Sequence, residues 1–321
     1  MAKKKNREID ARDYYKCPVC SNCRLWRTIP RKVGGQVAEC SICGHLTLWP
    51  LPNEKEVLSQ YSESAFLIAK NVGIALFDHQ AFDLLKKYDK RSNLHVLDVG
   101  CGLGEFLRKC IQEKHKATGI EVTKNIVNQL QSEGLDVHNK TLSEFRNIQQ
   151  RYDWVACLDV IEHIRDPMTA IEVLAELVNE KGFLVIQSPN GDAIKAYREK
   201  AYGLQVDKEH LNYFSPEQLI RLFELNGLTF VCKKYYPAST LTGRAKVSSK
   251  NKYNNSSPMP NGGHTYRSNI APDKIRSLME KMPARFRGIL RSSAQVLRYI
   301  GSIDEILKGK AHGFIIVMKR H

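Results

Sequence analysis

Hydrophobic and polar residues alternate in blocks along the middle of the chain, and these blocks predict strands and helices in turn. Short apolar runs predict strands over residues 94–99, 116–121, 135–138, 152–158 and 181–187. Apolar residues recur between them at three- and four-residue steps, which predicts helices over 103–113, 123–133 and 167–179. This alternation is typical of a parallel sheet with helices on both faces, and such sheets bind ligands at the carboxyl ends of their strands.

Segments on either side extend the pattern. Residues 64–88 carry apolar side chains at helical spacing and predict one or two helices. Ser215 and Pro216 are typical of the cap and first turn of a further helix, which a predicted strand over 228–236 follows. A last apolar run predicts a strand over 313–319.

The run over 96–107 predicts a buried strand, a tight glycine turn and the start of a helix. Its glycines, Gly100, Gly102 and Gly104, let a ligand approach the backbone and the free N–H groups of the helix N-terminus. The next strand ends in Glu121, whose carboxylate can accept both hydroxyl groups of a ribose. The third glycine comes one place too early for a dinucleotide fingerprint. The spacing therefore favours S-adenosylmethionine, a nucleoside that carries a compact charged group.

Four cysteines near the N-terminus form two C-x2-C pairs with 19 residues between them. The pairs are Cys17 with Cys20 and Cys40 with Cys43. This spacing is typical of a structural zinc ribbon, in which four thiolates close a tetrahedron around the metal. Cys23 offers the first pair an alternative register, and His45 is near enough in sequence to compete as a ligand. Pro18 favours the first register, because it lies inside that turn.

The net charge of +15 is concentrated at the two ends of the chain. Residues 237–311 carry 14 basic and four acidic residues, and they predict a mobile polar loop followed by a basic amphipathic helical segment. Such a segment over 270–310 can engage anionic lipid, glycan phosphate or RNA. No apolar run is long enough to span a bilayer, and no signal peptide follows the basic start. We therefore expect a cytoplasmic protein that can lie at the inner face of the membrane.

Several motifs taken together resemble class I S-adenosylmethionine-dependent methyltransferases. They are Leu97-Asp98-Val99-Gly100-Cys101-Gly102-Leu103-Gly104, Gly119-Ile120-Glu121, the run from Tyr152 to His163, and the run from Glu209 to Ser215. The chain looks most similar to the branch that includes the ubiquinone-pathway O-methyltransferase and many zinc-ribbon enzymes of bacterial surface-glycan clusters. The resemblance covers residues 17–236 and resumes at 312–319.

The resemblance implies an α/β fold: a Rossmann-like, doubly wound, seven-stranded methyltransferase sheet whose last strand is antiparallel and inserted beside the fifth. A small N-terminal zinc ribbon and a helical insertion before the last strand complete it. The expected divisions are the zinc ribbon over 1–52, the S-adenosylmethionine-binding core over 53–236, the basic loop and helical insertion over 237–311, and the last strand of the sheet over 312–321.

The resemblance also implies roles for individual residues. Asp98 would organise the glycine loop near the methionine ammonium, Glu121 would bind the ribose, and the backbone of Leu158 would pass the sulfonium. His163 and His210 are candidate bases for the acceptor, because histidine titrates near neutral pH. Asp159 and Tyr213 are candidates to shape the acceptor pocket.

The acceptor leaves more than one hypothesis open. We expect methyl transfer to an oxygen of a saccharide or of a lipid-linked glycan intermediate. The alternatives are an RNA methyltransferase that grips phosphate through the ribbon and the basic ends, and a non-catalytic S-adenosylmethionine-binding scaffold. Residues 157–160 lack the proline-rich motif of exocyclic-amine nucleobase methyltransferases, which weighs against RNA. The sequence predicts neither the oligomeric state nor the methylated atom.

Overall fold

The fold is described from a computed structural model, which covers residues 15–59, 75–146, 150–201, 204, 209–236 and 311–321. Its strands are β1 (Leu25–Pro30), β2 (Gln36–Cys40), β3 (Leu46–Trp49), β4 (His95–Val99), β5 (Lys116–Glu121), β6 (Asp136–Asn139), β7 (Tyr152–Leu158), β8 (Val178–Pro189), β9 (Asn212–Tyr213), β10 (Leu228–Tyr236) and β11 (Gly313–Arg320). Its helices are α1 (Glu54–Ser59), α2 (Ala75–Tyr88), α3 (Glu105–Gln112), α4 (Lys124–Ser132), α5 (Leu142–Phe145), α6 (Pro167–Glu176), α7 (Gly191–Tyr197) and α8 (Pro216–Leu225). Short 3-10 turns span Ile161–His163 and Arg198–Lys200.

Seven strands form the main sheet in the order β10-β11-β8-β7-β4-β5-β6. The strands from β4 to β8 pair in parallel, whereas β11 is antiparallel to both of its neighbours. Ile316 of β11 lies opposite Ile186 on one side and Lys233 on the other. The expected seven-stranded sheet, with its last strand inserted beside the fifth, is confirmed.

Helices cover both faces of this sheet, and each face has its own apolar core. On one face, α5, α6 and α8 pack Phe145, Leu174 and Phe223 against the strands. On the other, α2, α3 and α4 contribute Phe82 and Phe106 with their neighbours. Removing this much apolar surface from water is the main force that holds the helices on the sheet.

Helix boundaries follow from their capping residues. The Ser215 hydroxyl accepts a hydrogen bond from the backbone N–H of Gln218 at 3.1 Å, so α8 begins at the predicted cap. The Asp166 carboxylate caps α6 in the same way, through the N–H of Thr169. Helix α6 ends earlier and β8 begins earlier than predicted, because Val178 already pairs with Tyr152 of β7.

A second sheet joins the N-terminal ribbon to the core. Its order is β1-β2-β3-β9, and β9 comes from the loop before α8 rather than from the ribbon. Leu46 lies opposite Tyr213, and Thr47 lies opposite Asn212. The sequence pattern did not predict β9, because two residues are too few to show an alternation. The ribbon therefore lies directly on the core that contains the main sheet.

Part of the predicted secondary structure lies outside the described residues. The helical pattern over 64–88 is confirmed for Ala75–Tyr88, whereas 60–74 are not described. The predicted basic loop and amphipathic segment fall within 237–310, which are also outside the described part. Within the described ranges, we find no helix that combines the length and the apolar character needed to span a bilayer.

Candidate active site

The carboxyl ends of three neighbouring strands bring the predicted cofactor residues to one edge of the sheet. Val99 at the end of β4 lies opposite Ile120 on one side and Cys157 on the other. Glu121 and Leu158 are the last residues of their strands, and Asp98 is one residue before the end of β4. All three therefore lie at this edge of the sheet. Both carboxylates are buried and Leu158 is half-buried. The ligand-binding end of the sheet is thus lined by the residues that the resemblance singled out.

The glycine loop depends on backbone shapes that only glycine adopts easily. Gly100 and Gly104 have φ angles of +68° and +76°. A Cβ atom on Gly100 would lie 2.5 Å from Cγ2 of Val160, and one on Gly104 would lie 3.0 Å from Leu130. At these two positions, the space that a side chain would need is occupied by Val160 and Leu130 of the protein itself. The sequence interpretation instead expected the glycines to leave space for a ligand.

Glu121 bonds to the glycine loop and to the start of α4. Its carboxylate accepts hydrogen bonds from the N–H groups of Gly102 at 3.2 Å and Thr123 at 2.9 Å. Burial, followed by the charges of Asp98 and Glu121, raises the pKa of the Cys101 thiol inside the loop. Two buried carboxylates, those of Asp98 and Glu121, thus lie beside the loop. Their negative charge would favour a cationic ligand such as S-adenosylmethionine.

The strand next to the glycine loop turns sharply at its end and leads to a polar cluster. Asp159, directly after β7, has a φ angle of +54°, and its carboxylate accepts a hydrogen bond from Nε2 of Gln187 at 2.7 Å. Gln187 is 1% exposed, and its side-chain oxygen has no hydrogen-bond partner in the described part of the chain. The bond from Gln187 thus fixes Asp159 at the carboxyl end of β7, beside Leu158.

The two predicted histidines lie together. The ring centres of His163 and His210 are 4.7 Å apart, with the rings nearly perpendicular. Nδ1 of His163 lies 3.2 Å from the backbone oxygen of Glu209. A carbonyl oxygen can only accept, so Nδ1 carries the proton, and in the neutral ring Nε2 holds the lone pair. This tautomer suits His163 to accept a proton from a hydroxyl group.

Glu162 is a buried acid to which sequence reasoning gave no role. It is 0% exposed, and one of its carboxyl oxygens accepts a hydrogen bond from the Ser188 hydroxyl at 3.2 Å. Burial, and then the charge of Asp159, raises the pKa of Glu162 to about 8. Its carboxyl group and the rings of His163 and His210 offer atoms within 4.8 Å of one another, a spacing that would also suit one cation. In the sequence, its position between the candidate residues Asp159 and His163 could have indicated a role for Glu162.

Tyr213 lies deeper than the sequence suggested. Its side chain is 1% exposed and packs among Ile29, Val37 and Leu46 of the ribbon. Its ring centre is 6.0 Å from that of His210. Any effect of Tyr213 on an acceptor pocket would therefore act through His210 and the position of the ribbon.

The four ribbon cysteines fit a single zinc ion. The sulfurs of Cys17 and Cys43 are 3.5 Å apart, those of Cys20 and Cys40 are 3.6 Å apart, and all four lie within 4.8 Å of one another. Four sulfurs placed tetrahedrally around zinc, at the usual Zn–S distance, are separated by about 3.8 Å. Cys23 is exposed and outside this cluster.

His45 has a role other than metal binding. It is fully buried, its ring lies between the side chains of Asn212 and Gln218, and burial lowers its pKa. The ring is therefore neutral at physiological pH and bonded to the core. The four-cysteine site needs no fifth ligand.

Comparison with known proteins agrees with this geometry. Residues 75–233, about half of the chain, match a family described as a methyltransferase domain. An S-adenosylmethionine-dependent methyltransferase from Archaeoglobus fulgidus has a similar fold, with a TM-score of 0.51 and 19% identity over 80% of this chain and 99% of that one. The sheet order and the glycine loop thus define the class as a Rossmann-like methyltransferase.

Curated relatives share the same central segment. The ubiquinone biosynthesis O-methyltransferase of Leptothrix cholodnii is 26% identical over 155 residues, 43% of this chain and 66% of that protein. The Vibrio vulnificus protein of the same name is 26% identical over 160 residues, 45% of this chain and 68% of that protein. The matches thus span about two thirds of each relative. Residues 75–233 thus belong to the S-adenosylmethionine-dependent methyltransferase family.

Proposed function

We propose that the protein transfers a methyl group to a hydroxyl oxygen of a saccharide or of a lipid-linked glycan intermediate, with His163 as the base. The observation that carries the proposal is the tautomer of His163. Its Nδ1 donates to a backbone carbonyl, so Nε2 can take the proton of an acceptor hydroxyl. The names of the curated relatives, which are O-methyltransferases, support an oxygen acceptor.

In this proposal, the loop residues and the strand ends hold the cofactor. Asp98 and Glu121 provide negative charge for a cationic ligand and acceptors for its hydroxyl groups. Gly100, Gly102 and Gly104 keep the backbone in the required shape, and Leu158 lines the side nearer the acceptor. When bound, S-adenosylmethionine supplies a methyl group that is already activated by its sulfonium.

The chain's own residues then manage the acceptor and its proton. As the new O–CH3 bond forms and the C–S bond breaks, the hydroxyl proton moves to Nε2 of His163. The Glu209 carbonyl holds the ring in orientation, and His210 packs against its face. Glu162, whose raised pKa keeps it mostly protonated near pH 7, adds little charge beside the base. Positioning and proton removal are thus the two tasks of this side of the cleft.

Replacement of the proposed base tests the mechanism. We expect His163→Gln to lower the rate of methyl transfer by about 10²- to 10⁴-fold, the range for loss of a general base, and to leave the affinity for S-adenosylhomocysteine unchanged. His138→Gln, which changes a solvent-accessible histidine on β6, is the matched control and should have no effect. A His163→Gln variant with the wild-type rate would exclude this base.

A panel of acceptors tests the substrate class. Methyl-labelled S-adenosylmethionine would be supplied with a nucleotide sugar, a polyprenyl-diphosphate sugar, a prenylated catechol and total RNA, and products would be identified by mass spectrometry. We expect label in a sugar hydroxyl. Label in the catechol alone would move the acceptor to the class named by the curated relatives, and label in RNA alone would favour the RNA alternative.

A further inference from the structure

The segment before α8 lies between the zinc ribbon and the turn that carries His163. On the ribbon side, the backbone oxygen of Leu211 accepts hydrogen bonds from the N–H of Leu48 at 2.7 Å and the hydroxyl of Thr47 at 3.0 Å. Nη1 of Arg31 donates to the backbone oxygen of His210 at 3.3 Å. Three ribbon residues therefore hold the backbone of this segment.

On its other side, the same segment bonds to the turn at the active site. The N–H of Leu211 donates to the backbone oxygen of Glu162 at 2.8 Å. The side-chain nitrogen of Asn212 donates to the backbone oxygen of Ile164 at 2.7 Å. These two bonds bracket His163, so the position of its ring depends on the position of the segment.

His45 links the ribbon to this pair of bonds. Its Nε2 lies 3.0 Å from Oδ1 of Asn212, and its Nδ1 lies 3.2 Å from Oε1 of Gln218, an amide whose oxygen and nitrogen can exchange places so that it donates to Nδ1. The amide nitrogen of Asn212 is already bonded to Ile164, so its oxygen must face His45. Nε2 of His45 is therefore the donor. The ring also packs on Phe214, with the ring centres 4.6 Å apart.

We propose that His45 of the zinc ribbon is a positioning residue for the acceptor side of the active site, acting through Asn212 on the turn that carries His163. The zinc ribbon is then part of the catalytic architecture. The metal holds the knuckle that ends two residues before His45, and the path from His45 to Ile164 consists of two hydrogen bonds. The inference rests on the proposed function only where it concerns the rate of methyl transfer.

The test compares the two partners of His45. Asn212→Ala removes the partner that leads to the active-site turn, whereas Gln218→Leu removes the partner on α8 and is the matched control. His45→Leu removes both bonds, and His45→Gln retains a donor toward Asn212. Each full-length variant would be checked for zinc content and for affinity toward S-adenosylhomocysteine. The ring signals of His163 and His210 would then be recorded by NMR with S-adenosylhomocysteine bound.

We expect Asn212→Ala and His45→Leu to move the ring signals of His163 and His210, while zinc content and cofactor affinity stay at wild-type values. His45→Gln should restore the signals, and Gln218→Leu should leave them unchanged. The rate of methyl transfer in the two disrupted variants should fall by about 10²-fold at an unchanged KM for S-adenosylmethionine, the loss expected from a misplaced base.

Unchanged ring signals in a zinc-loaded His45→Leu or Asn212→Ala variant would overturn the inference. Asn212 lies outside the ribbon, so its variant decides the question even if His45→Leu fails to retain zinc. Moved signals with an unaltered rate of methyl transfer would support the positioning role and contradict the role of His163 as the base. The two proposals therefore fail in different ways.

Discussion

The two halves of the proposed active site, called here the cofactor side and the acceptor side, are built from the chain in different ways. The cofactor side is one continuous stretch, from β4 through the glycine loop to Glu121, and most of its geometry belongs to the backbone. The acceptor side brings together Asp159, the turn that carries His163, Gln187 on β8 and the segment before α8. The zinc ribbon packs against this segment through the pairing of β3 with β9. Backbone shape determines the first side, whereas bonds between distant segments determine the second.

This difference predicts that the two sides can be disrupted separately. Variants in the glycine loop should change cofactor affinity, because they alter the loop backbone, including the amide of Gly102 that meets Glu121. Variants in the ribbon or in the turn that carries His163 should change the rate of methyl transfer at nearly constant cofactor affinity. The predictions below run from the largest expected effect to the smallest.

Loss of the metal should disrupt the acceptor side most strongly. Cys40→Ser removes one of four clustered sulfurs, so we expect the variant to lose stoichiometric zinc. The ribbon should then unfold, because the stability of so small a segment comes largely from the bound metal. Metal analysis and thermal unfolding would measure both. Cys23→Ser is the matched control, and retention of zinc by Cys40→Ser would contradict the four-cysteine site.

A methyl group in the glycine loop should disrupt the cofactor side. Gly100→Ala places a Cβ atom 2.5 Å from Val160 at a φ angle of +68°, so the loop must shift. We expect the affinity for S-adenosylhomocysteine to fall at least about tenfold, or about 1.4 kcal/mol, because the shifted loop would no longer present its backbone to the ligand.

Gly134→Ala provides the control for backbone strain. Gly134 has a φ angle of +83°, but a Cβ atom there would meet nothing within 4 Å. This variant should lose a little stability and keep its cofactor affinity, both measurable by calorimetry. Equal losses of affinity in the two variants would show that contact with Val160 is not what shapes the loop.

Removal of the acid at the end of β5 should weaken the cofactor side without unfolding it. Glu121→Ala deletes the acceptor of two backbone amides and of the proposed ribose hydroxyls. We expect the affinity for S-adenosylhomocysteine to fall by about 1.5–3 kcal/mol, the range for a hydrogen bond to a charged group. Glu180→Ala, at an exposed position near the start of β8, is the control. Unchanged affinity in Glu121→Ala would contradict the ribose assignment.

The buried acid on the acceptor side should give a smaller, pH-dependent effect. Glu162 has its pKa raised to about 8 in the folded protein, so the folded state holds a proton that the unfolded state loses above its ordinary pKa. Its contribution to stability is therefore complete at acid pH and declines as the pH rises toward 8.

Replacement of this acid should remove the decline. Between pH 6 and pH 8, we expect wild type to lose about 1–3 kcal/mol relative to Glu162→Gln in urea unfolding. Glu180→Gln should follow wild type. Parallel pH dependences of wild type and Glu162→Gln would show that the buried carboxyl group is ionised in both states.

The strands and the loop of the proposed cofactor site were predictable from the sequence, because the information for them is local. The strand, the glycine turn and Glu121 occupy one stretch with a spacing that few other sites use, and the sheet order followed from the alternation and the resemblance. The zinc site was predictable for the same reason, since each cysteine pair forms its own turn.

The acceptor side was predicted only in part, because its contacts join distant residues. His163 and His210 could be named as candidates by chemical type, but the bond between His45 and Asn212 joins residues 167 apart in the chain. Glu162 was part of a quoted motif, but its raised pKa arises from burial, which no residue pattern in the turn reveals. The two-residue strand β9 became recognisable only from its pairing with the ribbon.

The most direct test of the account is a calorimetric titration of the full-length protein with S-adenosylhomocysteine, followed by a titration with NAD⁺. The glycine spacing, the buried carboxylates of Asp98 and Glu121 and the family match predict micromolar binding of S-adenosylhomocysteine and no binding of NAD⁺. Absence of S-adenosylhomocysteine binding, or tight binding of NAD⁺ in its place, would contradict the assignment of this cleft.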